Sequence, residues 1–134
     1  MRISPADPDS EYELGEMARR ARKWNEAIDH FTRAVKSDPH FPQALVGLGK
    51  SLVSAGRAAE AVTPLVNATQ LVPNDPVAHY QLSFAYLRIG REAEAKKELE
   101  LYREAHDQQQ RVSQGIRLGI VGDISEPQTA EPPE

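Results

Sequence analysis

Pro39-His40-Phe41-Pro42 constrains this chain more than any other stretch, because it recurs in outline. Pro5-Ala6-Asp7-Pro8 stands 34 residues before it and Pro73-Asn74-Asp75-Pro76 stands 34 residues after it. Proline lacks a backbone N–H and restricts the residue before it, so the first proline of each mark stops a helix. The second suits the first position of a new helix, where the N–H would be unpaired anyway. What lies between the marks is therefore expected to repeat.

The intervening residues bear this expectation. From Pro8, Asp9, Glu11, Glu13 and Glu16 lead to Arg19, Arg20, Arg22 and Lys23, with Asp7 placed to cap. Acid first and base last complements a helix dipole. After a turn near Lys23, Ala27, Ile28, Phe31, Ala34 and Val35 form an i, i+3, i+4, i+7 stripe. From Pro42, Ala44, Leu45, Leu48 and Leu52 mark one helix, which Gly56 breaks; Ala61, Val62, Leu65 and Ala68 mark the next, with Pro64 expected in an early turn where its missing N–H costs little. From Pro76, capped by Asp75, Leu82, Ala85, Tyr86 and Ile89 lead to a break at Gly90, followed by Ala95, Leu99 and Tyr102.

Overlaid at 34 residues, Leu14-Gly15, Leu48-Gly49 and Leu82-Ser83 align. So do Ala18, Leu52 and Tyr86; Ala27, Ala61 and Ala95; Phe31, Leu65 and Leu99; and Ala34, Ala68 and Tyr102. A small residue after each Leu lets paired helices approach closely. Two helices per 34-residue unit, in the order Leu-Gly, Ala-x-x-x-Phe, Pro, resemble the tetratricopeptide repeat over Pro8 to about Asp107, roughly three quarters of the chain. Two departures stand out: Arg22 replaces the turn glycine of the first unit, and Asp107 stands where a closing proline belongs. Without that breaker the last helix is expected to run to about Ser113 or Gln114. Its outer face, with Glu94, Lys97, Glu98 and Arg103, reads as a polar cap.

The expected fold is an all-α, right-handed superhelical solenoid. Residues 1–7 form a lead; 8–41, 42–75 and 76–114 form three helix-turn-helix repeats, the last with an extended capping helix; 115–134 form a flexible tail. Pro5 marks either a vestigial linker or the end of a unit upstream of residue 8.

Several function classes recede on composition. A formal charge of −4 leaves no basic footprint for nucleic acid. The chain has no cysteine, so it holds no disulfide, thiolate nucleophile or cysteine zinc site. No run approaches the ~18 apolar residues of a membrane span and no signal core opens the chain, so a cytoplasmic protein is the default. His30, His40, His79 and His106 are scattered without metal-ligand spacing, Ser51 and Ser54 have no evident histidine partner, and Gly115, Gly119 and Gly122 do not make a dinucleotide fingerprint. No catalytic residue, cofactor or metal is expected.

What remains is surface. The resemblance implies a concave groove lined mainly by the first helix of each unit. It places there Tyr12, Glu16 and Arg19; then Val46, Lys50 and Val53; then Val77, Tyr80, Phe84 and Leu87. The groove thus grades from charged to apolar. The apolar stripe either binds an apolar or aromatic segment or packs on neighbouring helices. Family members that clamp a C-terminal carboxylate use Lys, Asn and Arg, whereas the matching positions here are Tyr12, Glu16, Gly47, Val77 and Gln81, so that clamp is not expected. Ile116, Leu118 and Ile120 alternate with Arg117 and Gly119, Val121 follows, and this strip either belongs to a plain tail or covers Tyr80 and Phe84 as a self-ligand.

The function expected is protein–protein recognition, with a peptide or partner helix held in the groove. The alternatives are a self-assembling or spacer segment of a longer array, associating through the first repeat or the tail, and the non-catalytic part of a larger enzyme.

Overall fold

A computed structural model of the chain describes residues 7–117. They form six helices: α1 Pro8–Arg20, α2 Trp24–Ser37, α3 Pro42–Ser54, α4 Ala58–Leu71, α5 Pro76–Arg88 and α6 Glu92–Arg117. Each odd-numbered helix starts on the second proline of a mark. Asp7 caps α1 by accepting from Ser10 N–H at 3.2 Å, and Asp75 caps α5 by accepting from Val77 N–H at 3.0 Å. The helices pack as successive neighbours, with further contacts of α1 on α3 and α3 on α5. Among the described residues no helix touches one more than two places away. That connectivity is a stacked solenoid.

Close approach of the helices rests on missing side chains. Phe31 is fully buried. A Cβ on Gly15 of α1 would stand 2.8 Å from its ring, and one on Gly47 of α3 would stand 2.6 Å from it. The ring is thus wedged between two bare stretches of backbone, tying α2 to the helix before it and the helix after it. Leu65, also fully buried, lies on Gly49 in the same way, where a Cβ would stand 2.4 Å away. Around these wedges Leu52, Val53, Ala61, Leu82 and Ala85 form the main core.

The three turns inside the units are one motif repeated. Arg22 N–H donates to Arg19 O and Lys23 N–H to Ala18 O, both at 2.9 Å. Gly56 and Arg57 donate likewise to Val53 and Leu52, and Gly90 and Arg91 to Leu87 and Tyr86. Each is a Schellman ending, which needs a left-handed residue after the cap. Gly56 and Gly90 sit at φ +82°; Arg22 is forced to +62°. Its guanidinium lies 5.7 Å over the Trp24 ring, a partial compensation.

A second correspondence links the helices of each unit. His30 Nδ1 donates to Glu11 Oε1 at 2.8 Å, from α2 to α1. Sixty-eight residues later the same two positions hold His79 and Glu98, 2.7 Å apart, with the residue types exchanged. In the middle unit they hold Leu45 and Pro64, both buried. His79 is itself buried, and its other nitrogen donates to Pro73 O at 2.6 Å.

Three expectations need correction. Pro64 is the seventh residue of α4, well past the first turn, and the helix continues through it although the Glu60 carbonyl loses its intrahelical donor. Glu98 is not on an outer polar face, because His79 draws it inward. The last helix extends to Arg117, so Gly115 and Ile116 belong to α6, while Leu118, Ile120 and Val121 lie outside the described residues.

Two outcomes follow from the close contacts and the turns. Gly47→Ala should lower stability by about 1–3 kcal/mol in urea titration, and Phe31→Leu should recover part of that loss when combined with it. Additive losses would show that the ring and the glycine do not compete for space. Arg22→Gly should raise stability by about 1 kcal/mol despite losing the Trp24 contact, because it removes the left-handed penalty.

Candidate partner-binding groove

The side of the stack formed by α1, α3 and α5 carries a cavity of about 190 Å³, lined by Tyr12, Glu16, Gln43, Val46, Gly47, Lys50, Asp75 and Val77. Three helices contribute because the 34-residue period places equivalent turns side by side. Gln43 and Val77 are one such equivalent pair, one residue after a helix-starting proline.

The first-unit wall is preorganised. The Tyr12 ring packs 5.2 Å from Phe41 and 5.9 Å from Phe31, and its hydroxyl donates to Glu16 at 3.2 Å. Arg19 Nε donates to the same carboxylate at 2.7 Å. Burial alone would raise the Glu16 pKa, but the Arg19 hydrogen bond and charge, with the Tyr12 hydroxyl, bring it below its ordinary value. Burial pushes the Tyr12 phenol up, and Glu16 adds to that.

Lys50 stands opposite in a different state. No carboxylate lies within 4 Å of its ammonium among the described residues. Burial lowers its pKa, and the like charge of Arg19 lowers it further, against weaker help from Glu16 and Asp75. A half-buried, unpaired cation costs stability, and the fold bears that cost at the floor of the cavity.

Not all of the expected lining residues gather here. Tyr12, Glu16, Val46, Lys50 and Val77 meet at this cavity, whereas Arg19 acts from behind Glu16. Val46 is 8% exposed, so it offers only a small floor patch. Val53, at 5%, belongs to the core and cannot contact a partner. Tyr80, Phe84 and Leu87 line a separate cavity of about 420 Å³ with Ser83, Ala95 and Leu99, between α5 and α6. The sequence therefore expected one graded groove, where the structure divides those residues between two concavities.

Gln43 and Asp75 were not anticipated as lining residues. Their equivalence to other groove and cap positions was the available signal. Four of the five clamp positions, Tyr12, Glu16, Gly47 and Val77, do converge on the first cavity. They lack the basic and amide groups that a carboxylate clamp needs.

Comparisons with known proteins bear on the same residues. Two family models described as tetratricopeptide repeat match residues 12–79 and 52–116. The chain belongs to the tetratricopeptide repeat family. This family's fold is a protein-interaction scaffold, generally without catalysis of its own.

Among curated relatives, a peroxisomal targeting signal receptor of Candida glabrata is 32% identical over 106 residues, 79% of this chain and 18% of that protein. The TPR repeat-containing thioredoxin TTL4 of Arabidopsis thaliana is 28% identical over 94 residues, 70% of this chain and 14% of that protein. The chain thus spans less than a fifth of the length of either relative.

Among solved structures, MamA superposes with TM-score 0.74 at 21% identity, covering 81% of this chain and 63% of that one. The first TPR of Spaghetti (RPAP3) bound to the HSP90 peptide SRMEEVD gives 0.71 at 21% identity, covering 87% and 98%. These likenesses establish the fold. No described helix is long and apolar enough to cross a membrane.

The paired carboxylates set a pH dependence. For Glu11, burial would raise the pKa, but hydrogen bonds from His30 and Arg33 bring it below 4.5, as Arg19 does for Glu16. A depressed folded pKa adds stability above the unfolded value and loses it as pH falls through the folded one. The urea midpoint should therefore fall between about pH 5 and pH 3. The Glu11→Gln/Glu16→Gln double variant should show a shallower fall, and an identical slope would remove these two groups as its source.

Proposed function

We propose that the cavity between α1, α3 and α5 is a recognition site for a short segment of a partner protein, and that Lys50 is its charged anchor. The observation that carries this reading is the unpaired, half-buried ammonium of Lys50 beside the apolar surface of Tyr12, Val46 and Val77. A carboxylate of the partner would supply the missing counter-charge, and an apolar side chain next to it would occupy the cavity. Glu16 is already neutralised by Arg19, so it does not repel such a group at close range. The ligand class is an acidic–apolar segment, extended or helical.

The role is that of a non-catalytic adaptor acting in the cytoplasm, with protein rather than nucleic acid or lipid as its partner. A net charge of −4 supports the preference for protein over nucleic acid. Partner identity resides in a few side chains rather than in the repeat architecture.

A pull-down with mass spectrometry identifies candidate segments, whose affinity is then measured by fluorescence anisotropy. Lys50→Met should raise the urea midpoint of the fold and yet weaken segment binding by tenfold or more. Val77→Asp should weaken binding similarly, while Asp29→Asn on the far side of α2 should leave it unchanged. Undiminished binding by both groove variants would overturn the assignment.

A further inference from the structure

The two ends of the stack carry, at equivalent positions, the surfaces that meet at each internal joint. Inside the chain each odd-numbered helix seats on the unit before it. α3 presents Ala44, Leu48 and Ser51, and Leu48 packs on the Phe31 cluster. α5 presents Ala78, Leu82 and Ala85: Ala78 joins Val46 and Leu45, while Leu82 and Ala85 join Val53 and Leu65. The receiving surface of the second unit is thus Val46, Gly49, Val53 and Leu65, all buried.

Thirty-four residues on, the same receiving positions are Tyr80, Ser83, Leu87 and Leu99, with Phe84 at the position of Lys50. They line the open cavity of about 420 Å³. Tyr80 is 47% exposed where Val46 is 8%, and Leu87 is 55% exposed where Val53 is 5%. Among the described residues no helix covers this surface. At the other end, the seating positions of α1 are Ser10, Leu14 and Met17. Leu14 is 44% and Met17 60% exposed, where Ser51 and Ala85, equivalent to Met17, are fully buried.

We propose that this surface receives α1 of a second copy, in the register that seats α3 and α5 within one chain. The contact is head-to-tail, so it leaves one open half at each end and propagates. Leu14 would take the place that Leu48 and Leu82 hold. Met17, unbranched and adaptable, would fill the wider pocket that the exposed aromatic rings leave. Asp9 and Glu13 flank the α1 stripe, while the receiving surface is mixed in charge, with Glu92 and Lys96 in its lining and Arg88 over the Phe84 ring, so the pairing rests on the shared register.

The full chain is examined by sedimentation equilibrium from low micromolar to millimolar concentration. The weight-average mass should rise beyond that of a dimer. Met17→Glu alone and Leu87→Glu alone should each hold the chain as a monomer, with helicity unchanged by circular dichroism because both side chains are exposed. An equimolar mixture of the two variants should form a 1:1 dimer and stop there, since each retains one good face. Three outcomes would overturn the proposal: a wild type that stays monomeric throughout; association lost in Leu87→Glu but kept in Met17→Glu, which marks contact between like ends; or a monomer that associates only after removal of residues 118–134, which marks the tail as the occupant.

Discussion

Everything in this stack depends on how closely the helices can approach, and that distance is set where a Cβ is missing. Phe31 lies against Gly15 on one side and Gly47 on the other, and Leu65 lies on Gly49. A large flat or branched side chain on a bare backbone gives much dispersion contact with little rotamer freedom lost. The consequence is positional as well as energetic. By fixing α1 and α3 on the same ring, Phe31 also fixes Tyr12, Glu16, Val46 and Lys50 around one cavity. The recognition site is in this sense the outward side of the helix spacing.

Much of this was legible in the chain because it is written in backbone chemistry. Proline marks at Pro8, Pro42 and Pro76 start helices for reasons that tertiary context does not override, and all three do. Small residues aligned with large apolar ones announced the close contacts. The sorting of surface from core was less legible, since position within a unit does not decide burial. Val53 and Leu87 are equivalent, yet one is core and the other half exposed, because α5 follows the first while no described helix follows the second. Burial in a stacked protein belongs to the neighbour as much as to the residue. Glu98 escaped for a related reason: it answers to His79 in the adjacent helix, and a hydrophobic period records no such pairing.

The two concavities differ in what holds them open. The first keeps a polar triad of Tyr12, Glu16 and Arg19 facing the Lys50 ammonium, which no carboxylate among the described residues meets within 4 Å. Its shape is set by the helix spacing, and its selectivity by one unmatched charge. The second is mostly apolar, with Glu92 and Lys96 in its lining, and lies open because no described helix covers it. Buried polar mismatches are few beside these: the Ser51 hydroxyl finds no hydrogen-bond partner among the described residues, at a position that Ala85 fills in the next unit. Such a hydroxyl adds a small desolvation cost at an internal joint without changing its shape.

The slot shared by Glu11 with His30, Leu45 with Pro64, and His79 with Glu98 bears on the history such a chain can have. In each case both members lie inside one unit, so the fastening between its two helices travels with the unit when a gene segment is duplicated, deleted or transposed. Exchange of the acid and the base between first and third units shows that the slot accepts either order, and the middle unit shows that it accepts no charge at all. Recombination at the proline marks therefore leaves every fastening matched. Only the seams between units need to be re-fitted, and there a large side chain such as Phe31 needs bare backbone such as Gly47 opposite it.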